Sequence, residues 1–134
     1  RYFENPKYEY KCYKVSISSS KEASLLITRE VVYDDAKALR IIDFIGDIEI
    51  LSYLSQWAAL EMKIYNYEYV DLLSSGIDKE ILMKSGFNKQ QSTSGVIIPT
   101  YFEPFIRENI DIYYEKSAED MILFKGDADG DRPN

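Results

Sequence analysis

The stretch ALRIIDFIGDIEILSYLSQWAALEMKIY, residues 38–65, decides how this chain folds. Up to Ile45 its apolar residues are almost continuous and rich in β-branched types, as in a buried strand. Beyond Gly46 the period changes. Leu51, Leu54, Ala58, Met62 and Tyr65 share one helical face with Ile50 and Trp57 beside it, while Ser52, Ser55, Gln56, Glu61 and Lys63 point elsewhere. The pattern predicts a strand over Leu39 to Ile45, a corner at Gly46 and a long core-facing helix that stops near Asn66. A strand that turns into a helix through glycine is either a phosphate cradle or a plain corner. Asp47 favours the corner, because a carboxylate at the N-cap takes up one of the free amides and stabilises the helix by ~1 kcal/mol. It also sets a negative charge against any anion drawn to the positive end of the helix.

Working outward, YEYKCYKVSIS (residues 8–18) alternates apolar and polar positions, and SLLITREVVY (residues 24–33) is β-branched and aliphatic. With the turns SSSKEAS and DDAK between them, Tyr8 to Ile45 reads as an antiparallel meander of three strands. After the long helix, YEYVDLLSS is apolar on both faces, which predicts a central strand. DKEILMKSGF then reads as a short helix with Asp78 as N-cap and Gly86 at its C-terminal end. Residues 88–109 carry no period, and Pro99 and Pro104 exclude an interior strand or helix there. IDIYY (residues 110–114) and MILFK (residues 121–125) read as a closing hairpin, followed by an acidic tail over residues 126–134.

Composition sets the outer bounds. A chain of 134 residues is one domain by length and buries ~68% of the surface that its unfolded form exposes. The net charge of −7 lacks the basic footprint that nucleic acid or an anionic membrane requires. With no histidine, the chain cannot build a Ser-His-Asp triad. Cys12 is the single cysteine; it excludes an intrachain disulfide, and its place in a strand predicts a small buried hydrophobe. No secretory leader pattern or apolar run of membrane-spanning length is present, which points to the cytoplasm. Arg1 in place of methionine is read as the mark of a fragment, the C-terminal part of a longer protein. Twelve tyrosines exceed what a core of this size needs, so some of the rings are expected at a groove or a partner.

The order of elements, with Gly46 at the corner and Gly86-Phe87 closing the short helix, resembles the later part of the acyl-CoA N-acyltransferase superfamily over Tyr8 to Lys125. The resemblance implies a mixed, mostly antiparallel sheet carrying one long and one short helix, an α/β (α+β) fold. It also implies acyl-CoA as cofactor, held by the backbone of Ile45, Gly46, Asp47 and Ile48, with transfer of an acyl group to an amine or sugar. The corner departs from the family's loop in having one glycine and no basic side chain, and Leu82 stands where many members carry a tyrosine acid. Catalytic groups would then come from a missing N-terminal part, packed against this one. The alternative is a non-catalytic domain of the same layout that binds a protein partner or completes a homodimer.

Three further places draw notice. Asp43 interrupts an apolar strand, and it either faces inward with a perturbed pKa or points outward or pairs with Arg29 or Arg40. Asp127, Asp129 and Asp131 alternate as calcium ligands do, but their glycine falls at the wrong position, so no metal is expected. IPTYFEPF presents Tyr101, Phe102 and Phe105 as a rigid apolar strip, a wall for a ligand channel, a dock for a partner domain or a lid on the core.

Overall fold

The computed structural model describes residue 4 and residues 8–17, 23–91, 93–99 and 106–127. Strands β1 (Tyr10–Val15), β2 (Ser24–Tyr33) and β3 (Ala36–Ile45) form the expected antiparallel meander. The β2–β3 reversal is tight, with Asp34 in the left-handed region at φ 52°. A register shift at Ile27 and Thr28 inserts Ile42 as an extra residue, a bulge that sharpens the sheet's twist. Helix α1 (Leu54–Tyr65) lies against this sheet, and β4 (Tyr69–Leu72) then pairs parallel to β3. The order β1-β2-β3-β4 makes β4 an end strand with every residue half-buried, not the central strand expected from its sequence. Its apolar character serves contacts with α1 and with the following chain.

The long helix also starts later than expected. Ile48–Tyr53 is a 3-10 segment capped by Asp47, and the α-helix begins at Leu54. Asn66, left-handed at φ 58°, ends it with its N–H on the Met62 carbonyl. Helix α2 (Lys79–Lys84) starts at Asp78, whose Oδ1 accepts from Glu80 N–H at 2.7 Å. Gly86 lies just past its end at φ 83°, where Phe87 N–H returns to the Leu82 carbonyl.

The expected closing hairpin does not form. Residues 110–114 form neither helix nor strand, whereas β6 (Leu123–Phe124) pairs with β5 (Ser74–Ser75) as a separate two-stranded sheet. A 3-10 turn at Lys125–Asp127 follows, in which the Asp127 carboxylate accepts from Phe124 N–H at 2.8 Å. Residues 88–91, 93–99 and 106–109 contain neither helix nor strand, as expected. Tyr101, Phe102, Phe105, Pro104, Asp129 and Asp131 lie outside the described residues.

Both faces of β2 and β3 are covered. On the helix side Leu26, Ile41, Phe44, Ile50, Leu51, Leu54, Ile81 and Phe124 form the main core. On the other side Tyr10, Ile27 and Ile42 form a smaller one, and the Arg40 guanidinium donates to the Pro99 carbonyl at 3.1 Å. The irregular segment therefore reaches across the face that no helix covers.

Candidate functional site

The corner after β3 was the sequence's one candidate for cofactor binding, and its geometry is that of a capped turn. Ile45 is exposed, Asp47 is exposed, and Ile48 is half-buried against the main core. Gly46 takes φ 130°, and a Cβ built there would lie 2.8 Å from the Ser24 Cβ. Glycine is required here by conformation and by the close approach of β2. Asp47 N–H donates to Ser24 Oγ at 3.0 Å, Glu49 N–H to Asp47 Oδ1 at 3.0 Å, and Ile50 N–H to the Asp47 carbonyl at 3.1 Å. Three of the amides that would face an incoming pyrophosphate are thus already spent within the chain.

Beside the corner, β3 and β4 do diverge. They pair from Ala38 with Tyr69 to Ile41 with Leu72, after which β3 continues to Ile45 while the other chain leaves to join β6. The space opened between them is not vacant. Phe124 is buried in the main core with its ring 6.5 Å from that of Phe44, and Lys125 and Gly126 are buried next to it. Leu82, on α2, is half-buried and offers no acid.

A polar cluster that the sequence reading overlooked sits between α1 and the sheet. Glu61 is buried, contrary to the outward position expected for it, and its Oε2 accepts from Tyr13 Oη at 3.0 Å. Glu61 follows Leu54 by seven residues, two full turns, so the spacing did hold the signal. Tyr65, expected to face the core, is displaced outward, where it stacks on Tyr67 at 5.7 Å and receives Lys11 over its ring at 4.6 Å. Burial first, and then the hydrogen bond and charge of Glu61, push the Tyr13 hydroxyl up to about 12. Burial and then Glu30 push Tyr67 higher still.

The opposite face carries a charged row. Tyr10, Arg29, Arg40 and Asp71 are consecutive cross-strand partners from β1 to β4. Both arginines are buried; the Arg40 guanidinium grips the Asp71 carboxylate through Nε and Nη2, and Arg29 lies 4.0 Å over the Tyr8 ring. Asp43 is half-buried, and its Oδ1 accepts from Phe44 N–H at 2.8 Å. An open cavity of about 250 Å³ adjoins this row, lined by Tyr8, Glu9, Lys11, Arg29 and Glu30, with none of Ile45 to Ile48 on its wall. Cys12, expected to be buried, is exposed on the outer strand. Among the described residues no group of three or more Cys, Asp or Glu is placed to hold a metal ion, and no helix is long and apolar enough to cross a membrane.

No protein-family model, curated protein or solved structure gives a significant match to this chain. What the geometry defines is a mixed α+β domain with a mostly antiparallel four-stranded sheet, one long helix and one short one.

Proposed function

We propose that this domain is a non-catalytic interaction module with the layout of an acyl-CoA N-acyltransferase. One observation supports the reading: three amides of the corner are hydrogen-bonded within the chain. Asp47 and Ser24 take up the corner amides, and Phe124 packs on Phe44 in the main core beyond the point where β3 and β4 part. A negative carboxylate at the N-cap repels the pyrophosphate that a cradle must attract. The exposed aromatic and aliphatic side chains instead suit contact with protein. Tyr53 at the end of the 3-10 segment and Tyr113 and Tyr114 after it in the chain are exposed.

The acyl-transfer reading, with acyl-CoA held at Ile45 to Ile48 and an amine or sugar as acceptor, retains one supporting observation, the divergence of β3 from β4 after Ile41 and Leu72. Calorimetric titration of coenzyme A and acetyl-coenzyme A separates the two readings. The interaction reading expects no saturable heat from either. Saturable heat that disappears when a bulky side chain replaces Ile45 would overturn it in favour of the cofactor.

A further inference from the structure

We propose that this chain assembles with copies of itself by strand addition, the segment Ile110–Glu115 of one copy pairing antiparallel with the outer edge of β1 on the next. The proposal rests on the interaction reading above and names its partner.

The acceptor is the edge of the sheet. Strand β1 ends the order β1-β2-β3-β4, so its outer side has no strand neighbour among the described residues. Lys11 to Val15, with no ladder on that side among the described residues, are a template for a further strand. Above that edge lies an apolar overhang. Tyr53, Leu60 and Ile64 on the helical layer are 64%, 55% and 60% exposed. Trp57 belongs to the same stripe by its spacing of four, three and four residues. Trp57 packs edge-on against Tyr13 of β1, with ring centroids 5.2 Å apart, which sets the stripe over the β1 side of the sheet.

The donor is a piece of chain that has the sequence pattern of a strand but joins no sheet among the described residues. Ile110, Asp111, Ile112, Tyr113 and Tyr114 are all exposed, Tyr113 at 89%, and none belongs to a sheet. The segment is held beside β5 by the Ser75 hydroxyl, 2.7 Å from Tyr114 Oη. Because β5 follows β4, the donor lies at the edge opposite β1. One copy cannot fill its own acceptor, and the contact runs from copy to copy.

Register is fixed by the pairs that meet on each face. In the antiparallel alignment that sets Ile112 opposite Tyr13, Ile110 meets Val15 and Tyr114 meets Lys11, all on the helix side. Ile110, Ile112 and Tyr114 thereby come under the overhang of Tyr53, Leu60 and Ile64. On the other face Asp111 meets Lys14, an opposite-charge pair, and Tyr113 meets Cys12. A shift of one residue would turn the isoleucines to the open face and Asp111 under the apolar stripe. Such a heterologous contact closes into a ring or continues as a chain of copies, according to the rotation it imposes.

The pairing of Cys12 with Tyr113 supplies the test. Cys12 is the chain's only cysteine, so Tyr113→Cys under mild oxidation is expected to give intermolecular disulfide species that vanish in Cys12→Ser/Tyr113→Cys. Met83→Cys, on α2 and also well exposed, controls for random encounter and is expected to remain largely uncrosslinked. Sedimentation velocity of the unmodified protein should show concentration-dependent association. Ile112→Lys should weaken it about tenfold or more, since an isoleucine that the contact buries is replaced by a charge. A protein monomeric at every concentration overturns the proposal, as does association that survives Ile112→Lys, or crosslinking of Met83→Cys equal to that of Tyr113→Cys. These results are read without coenzyme A, so they stand apart from the calorimetric test of the interaction reading.

Discussion

The two faces of the four-stranded sheet are buried by different means. The helix face is covered by aliphatic and aromatic side chains from α1, the 3-10 segment, α2 and β6, and its polar groups are gathered near Tyr13 and Glu61. The other face has a small apolar patch at Tyr10, Ile27 and Ile42, beside the row of Arg29, Arg40 and Asp71, and an irregular strand of chain reaches it through Pro99. Apolar packing loses stability in proportion to the volume removed, since neighbours relax partly into the gap. A buried guanidinium is less forgiving, because its charge must be matched by geometry. The better-filled face therefore has the more tolerant side chains, and the poorly covered face has the more brittle ones.

That contrast is sharpest at Asp71. Asp71→Ala leaves the Arg40 guanidinium buried without its carboxylate; the expected loss is about 3–5 kcal/mol, read as a lowered urea midpoint. Asp71→Ala combined with Arg40→Met should recover much of it, and a double variant no more stable than the single one would remove the charge argument. On the helix face, Leu51→Ala or Leu54→Ala, both fully buried, should each cost ~3 kcal/mol by the same measurement. If those losses exceed that of Asp71→Ala, the ranking of the two faces is reversed.

At the corner joining the faces, Gly46→Ala meets both an unfavourable φ and the Ser24 side chain, and a cost of about 1–3 kcal/mol is expected. Asp47→Ala removes the cap of the 3-10 segment and should cost ~1 kcal/mol. A coenzyme A affinity that appears in Asp47→Ala would show that the cap alone had closed the corner.

The smallest effect concerns the polar end of the helix face. Tyr13 and Tyr67 are held above the usual tyrosine value of 10, Tyr13 at about 12. The folded state favours their neutral forms, so their contribution is complete below pH 10 and is lost as the pH rises through the folded value. Stability should therefore fall from pH 10 towards about 12, and Tyr13→Phe should make that fall shallower. An unchanged pH profile in Tyr13→Phe would detach the hydroxyl from the stability of this end.

The meander, the corner at Gly46, the stop at Asn66 and the cap at Asp78 were legible in the sequence because each depends on neighbours a few residues away. Period two marks a strand, period 3.6 a helix, and glycine, asparagine and aspartate mark their ends. The capped character of the corner was legible for the same reason, since Asp47 acts on an amide two residues on. Glu61 was misplaced because its charge argued for solvent, although it follows buried Leu54 by two turns at the border of the expected face.

What the sequence could not decide was everything that rests on which distant segments meet. YEYVDLL is apolar enough for a central strand, yet it stands at the edge, because the chain after Leu72 pairs with Leu123–Phe124 and not with IDIYY. The Arg40–Asp71 pair follows from a parallel register that no local period encodes. Backbone conformation is chosen by nearby sterics and hydrogen bonds, which the order of residues carries directly. Strand partnership is chosen by competition among segments of similar propensity, and only the packed tertiary structure settles that competition.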